Sequence, residues 1–101
     1  MNESQELKEL IKIIGMRIRQ YIHERRVELN YTQEELASKS KVDSNSISNL
    51  ETGKVNPLAV TVIRLLLAFD DSSIDLKEIL KEDYEKILKV LGLKWFVIFL
   101  D

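Results

Sequence analysis

Residues 31–57 read YTQEELASKSKVDSNSISNLETGKVNP, and the punctuation of this stretch decides the fold. Thr32 followed three residues later by Glu35 forms a capping box, in which each side chain satisfies the other's orphan backbone N–H. Leu36 and Ala37 come next, and Ala37 is small enough for a second helix to cross closely. Ser40-Lys41-Val42 breaks the pattern, Asp43 is placed to cap a new helix, and Gly53 to end it. Two short helices joined by a tight turn follow from this reading. In the second helix Ile47 and Leu50 fall on one side. Asn45, Ser48, Asn49 and Thr52 recur at i, i+3, i+4 and i+7 and make a polar stripe opposite.

A helix face exposed only to water is usually rich in Lys and Glu, whereas this stripe consists of short amides and hydroxyls. Such groups can hydrogen-bond base edges in a major groove, where Asn pairs bidentately with adenine. The plain alternative is a solvated helix face. Weighed together, the two helices and the stripe imply a helix-turn-helix.

Working outward, residues 2–29 carry Leu7, Leu10, Ile11, Ile14, Ile18, Tyr21 and Ile22 at three- and four-residue spacing, the mark of a long amphipathic helix. Asn2 can cap it, with Gln5 at the capping-box position. Gly15 weakens its middle by about 1 kcal/mol relative to Ala, leaving open one helix or two broken near Gly15. The part from Ile14 onward should pack on the helix pair. Leu7, Leu10 and Ile11 need cover from the C-terminal segment or a second subunit. After Gly53, Asn56 is read as capping a helix that starts at Pro57 and runs to about Phe69. That helix is apolar nearly all round and should be central in the core. Asp70-Asp71-Ser72-Ser73 is a turn, with Ser72 and Asp75 as another capping box. Residues 76–91 keep helix phase, as one helix or two in succession, and Gly92 ends them. Residues 93–100, LKWFVIFL, favour a strand by propensity, although a helical extension stays open. Apolar on both faces, they point to an interface, with Trp95, Phe96, Val97, Ile98 and Phe99 at a dimer contact. A membrane-surface anchor would ordinarily have a basic flank, which this segment lacks.

Composition narrows the function classes. The chain has 101 residues, 45% of them apolar, enough for one core. It has no cysteine, one histidine and three glycines, so nothing suggests a disulfide, a metal centre, a cofactor or a phosphate-cradling loop. Nothing resembles a nucleophile–base pair, and an enzyme is the poorest reading. No secretory leader and no membrane-length apolar run is seen, which implies a cytoplasmic protein with no membrane partner. The net charge of −2 hides an uneven spread. Residues 11–64 carry nine Lys and Arg against six Asp and Glu, while residues 65–101 carry five against eight. The basic stretch contains the helix pair, a modest pointer towards nucleic acid. Arg17, Arg19 and Arg25 read as solvated charges, and His23 as a surface histidine.

From about Ile14 to Leu80 the chain resembles the phage-repressor or Xre-type helix-turn-helix family. The matching residues are Ile18, Arg26, Thr32-Gln33-Glu34-Glu35-Leu36-Ala37, Val42, Ile47-Ser48, Leu50-Glu51, Gly53-Lys54 and Asn56-Pro57, followed by an apolar helix. The resemblance implies an all-α, lambda-repressor-like bundle of about five helices. With it go three parts: an N-terminal extension at 1–13, a DNA-binding domain at 14–80, and a C-terminal helical or strand extension at 81–101 for dimerisation. It further implies a homodimeric regulator, a repressor, bound to a near-palindromic site in double-stranded DNA. Gln33, Ser44, Asn45, Ser48 and Asn49 match base-reading positions. Thr32, Ser46, Thr52, Gly53 and Lys54 match phosphate contacts, and Arg26 and Glu51 match an internal ion pair. Two departures stand out. Lys41 holds a turn position often occupied by glycine, and the base-reading positions of the second helix lack Arg and Gln. The competing reading on the same scaffold is an antitoxin or adaptor whose main contact is another protein, docked through the C-terminal segment.

Overall fold

The computed structural model describes residues 3–70 and 75–91, and every regular element among them is helical. The first helix, α1 (Glu3–Glu28), is unbroken. Gly15 does not interrupt it: Leu10 before it and Ile22 after it are each buried in a core cluster, which holds the helix on either side of the glycine. Asn30 ends it with a left-handed φ of 60°. The N–H of Asn30 donates to Val27 O and that of Tyr31 to Arg26 O, at 3.0 Å each, closing two carbonyls the helix leaves open.

The pair forms as its caps dictate. Helix α2 (Gln33–Ser40) starts with Glu35 N–H donating to Thr32 Oγ1 at 3.0 Å. Thr32 N–H donates back to Glu35 Oε1 at 3.1 Å. Lys41 accepts the left-handed conformation, at φ 61° and ψ 27°, and its N–H bonds Ala37 O at 3.0 Å. Helix α3 (Ser44–Glu51) is capped by Asp43, which accepts from Ser46 N–H at 2.9 Å. It closes at Gly53, φ 78°, with Gly53 N–H on Leu50 O at 3.2 Å and Lys54 N–H on Asn49 O at 2.9 Å.

Helix α4 (Ala59–Ala68) departs from the sequence reading twice. It begins at Ala59, with Leu58 as an N-cap that has no side-chain hydrogen bond. Asn56 and Pro57 do not start it, because Pro57 is drawn against Gly15 of α1 and the chain stays extended through Leu58. Nor is α4 central on all sides. Leu65, Leu66 and Phe69 are buried, but Leu58, Val60, Ile63 and Leu67 are each between 55% and 73% exposed. An α-helix at the edge of so small a bundle has core on one side only.

Helix α5 (Leu76–Leu80) is capped by Asp75, whose carboxylate accepts from Lys77 N–H. A 3-10 turn (Lys81–Asp83) then leads into α6 (Tyr84–Val90). Of the two openings left for residues 76–91, the broken one holds, with the break at Lys81, φ 53°. The main core joins Ile22, Leu36, Val42, Ile47, Leu50, Leu65, Leu66 and Phe69. A second cluster joins Leu10 to Ile79, Leu80 and Ile87, so α5 and α6 supply the cover that Leu10 needs, while Leu7 and Ile11 stay exposed. Arg17 is no free surface charge. Its Nε donates to Asp83 Oδ2 and its Nη2 to Glu82 Oε1, both at 2.7 Å, tying α1 to the 3-10 turn. Asn2, Ser72, Gly92 and the segment holding Trp95, Phe96, Val97, Ile98 and Phe99 lie outside the described residues. None of the described helices is long and apolar enough to cross a membrane.

Candidate nucleic-acid interface

Helix α3 divides by burial as its sequence divides by polarity. Ile47 and Leu50 are buried at 0% and 1% exposure, anchoring one face in the core. The opposite face presents Asn45, which is exposed, with Ser44, Ser48 and Asn49 half-exposed beside it. None of these four side chains makes a hydrogen bond among the described residues. Their polar neighbours are already spent. Ser46 Oγ donates to Asp43 Oδ2 at 2.8 Å, and Thr52 Oγ1 donates to Ser48 O at 2.8 Å. Together, the N–H and hydroxyl of Ser46 hold the Asp43 carboxyl below its ordinary pKa.

Glu51, the last residue of α3, turns inward and gathers three elements. Arg26 of α1 donates from Nε to Glu51 Oε2 at 2.7 Å and from Nη2 to Oε1 at 3.0 Å. Gln33 of α2 donates from Nε2 to Oε1 at 3.2 Å, and His23 Nδ1 stands 3.1 Å from the same oxygen. The Glu51 side chain is 5% exposed and that of Arg26 14%. Burial alone would push the Glu51 carboxyl up, but the bonds from Arg26, His23 and Gln33 outweigh it and hold it below the usual range. Arg26 also donates from Nη1 to Tyr31 O at 2.8 Å, so one guanidinium fixes the end of α1, the entry to α2 and the end of α3.

A family model described as helix-turn-helix, of the Xre type, matches residues 22–77, more than half the chain. The chain belongs to the Xre-type helix-turn-helix family. No curated protein and no solved structure matches it. Membership makes this Xre-type chain a DNA-binding transcription regulator.

The positions matched to phosphate contacts have partners that limit what they can offer. Thr32 N–H is taken by the Glu35 carboxylate, and Glu34 adds a second negative charge to the first turn of α2. The N–H groups of Gly53 and Lys54 close α3. The Lys54 ammonium remains exposed there. Two residues of this Xre-type domain that sequence reasoning set aside lie against the same region. His23 reaches Glu51, and Arg19 lies over Gly53. A signal for both was present: Arg19, His23 and Arg26 fall at i, i+4 and i+7, one stripe of nitrogen-bearing side chains along α1.

Proposed function

We propose that this Xre-type protein is a dimeric, sequence-specific repressor that lays α3 in the major groove of a near-palindromic operator. One observation carries the reading. Ser44, Asn45, Ser48 and Asn49 share the outer face of α3 with their side-chain hydrogen-bonding capacity unspent, while Ser46, Thr52 and Glu51 beside them are all satisfied internally. Unspent short amides on a helix anchored by Ile47 and Leu50 suit base edges. Gln33, fixed by Glu51, flanks them from α2. Short side chains reach only shallowly, so part of the selectivity falls to DNA shape. The protein acts by binding, without catalysis.

Two copies would place their α3 helices about one DNA turn apart, roughly 34 Å. The apolar segment with Trp95, Phe96, Val97, Ile98 and Phe99 is the proposed joint between subunits. The uncovered stripe of Val60, Ile63 and Leu67 on α4 supports a further partner surface, since contiguous apolar patches on a lone domain are uncommon.

The test is base-specific. Asn45→Ala and Asn49→Ala should each cost about 1–3 kcal/mol at one base position and relax the choice there. If both variants bind selected and scrambled duplexes like the parent, α3 does not read bases. Light scattering on the full chain decides the dimer: a single-copy mass at DNA-binding concentrations would exclude it.

A further inference from the structure

We propose that Arg19 contacts a DNA phosphate, held for that purpose against Gly53 at the end of α3; the inference rests on the DNA-binding reading above. Its position comes from the glycine. A Cβ on Gly53 would stand 3.4 Å from Arg19 Nε, 3.6 Å from Cζ and 3.7 Å from Nη2. Three nearly equal distances mean that the flat guanidinium lies over Gly53 at ordinary contact range. Gly53 takes the left-handed φ of 78° that closes α3, and the guanidinium lies across that turn.

The charge on Arg19 is unspent within the described residues. Among the described residues Arg17 is held by Asp83 and Glu82, Arg25 by Glu28, Arg26 by Glu51, and Arg64 reaches Lys41 O. Arg19 has no hydrogen bond and no ion pair there, although it is half-buried. Five N–H donors in a rigid fork, brought to one place without an acceptor, suit a phosphate diester, which can accept two of them side by side.

The neighbouring backbone cannot take over that role. The N–H groups of Gly53 and Lys54 are committed to Leu50 O and Asn49 O, leaving Arg19 and the Lys54 ammonium as the donors at this corner. Gly53 follows Asn49 by four residues, just past the end of α3. Arg19 would therefore grip a phosphate flanking the base pair read by Asn49. Arg19 precedes the residues matched by the family model, 22–77, so the family match does not itself supply this contact.

The experiment measures binding of the full chain to its selected duplex and to a scrambled one across a salt series, for the parent, Arg19→Gln and Arg19→Lys. A phosphate contact contributes a slope of about −0.9 in log affinity against log salt. Arg19→Gln should therefore weaken both duplexes about eightfold per subunit near 0.1 M salt and flatten the slope by about 0.9 per subunit. Arg19→Lys keeps the charge and should restore the slope, with affinity recovered in part. Thermal melting checks that the variants fold; a merely structural arginine would lower melting and leave the slope alone. A parent-like slope for Arg19→Gln, or a Lys variant as shallow as the Gln one, overturns the inference while leaving the DNA-binding reading in place. A parent that binds neither duplex at any salt overturns both.

Discussion

Replacing Glu51 by Ala should destabilise the domain by about 2–3 kcal/mol. The carboxylate accepts two bonds from Arg26, at 2.7 and 3.0 Å, and charge-assisted bonds contribute about 1.5–3 kcal/mol each. Fully buried pairs lose about 3–5 kcal/mol when one partner goes. Here the loss is smaller, because the Arg26 side chain is 14% exposed and keeps its bond to Tyr31 O. His23, with a half-exposed side chain at 52%, adds little through water screening. Domains of this size are stable by about 5–15 kcal/mol, so the melting temperature should fall by about 10–20 °C, at about 4–8 °C per kcal/mol. Urea unfolding of the parent, Glu51→Ala, Arg26→Ala and the double variant measures the coupling directly. A coupling of about 1.5 kcal/mol or more is expected. Additive single variants, or a Glu51→Ala cost under about 0.5 kcal/mol, would refute the idea that this pair holds α1, α2 and α3 together.

Thr32→Ala removes the acceptor for Glu35 N–H and should cost about 1 kcal/mol in urea unfolding. Gly15→Ala should stabilise by about 0.5–1 kcal/mol, since its Cβ would meet Arg19 and Pro57 at 3.5 and 3.9 Å, ordinary contact distances; a lower melting temperature would show that α1 and the 53–58 loop pack more tightly than these distances say. The Glu51 and Asp43 carboxyls sit below their ordinary values of 4.5 and 3.8 in the folded chain, so the stability they supply is complete above about pH 5 and drains as pH falls through the lower folded values. The urea midpoint should drop over that acid range, less steeply in Glu51→Gln. A midpoint flat from pH 7 to 3 would contradict this.

What could be read from the sequence was local. Thr32 with Glu35, Asp43, and Gly53 act within four residues of themselves, and each makes the cap its spacing implies. Lys41, at a turn position often occupied by glycine, takes the left-handed conformation itself. The misreadings came where a residue's partner is distant in sequence. Arg17 finds its carboxylates 65 and 66 residues away; His23 is exposed as expected, and only its contact with Glu51, across 28 residues, went unread. Helix α4 looked central because its composition is apolar nearly all round; only the placement of its neighbours shows which stripe they leave bare. Pro57 had a local role available at a helix start, but the approach to Gly15 took precedence. In the candidate site, the polar stripe on α3 was legible from periodicity, whereas the commitments of Ser46, Thr52 and Gln33 to internal partners were not.

The most direct measurement is a selection of bound duplexes from a random pool with the full chain, followed by titration of the winner against salt. A two-fold symmetric motif is expected, with half-sites about one helical turn apart and log affinity falling linearly with log salt. A pool that does not converge at low salt and micromolar protein would contradict base reading by α3, and would move the chain's principal contact to another protein.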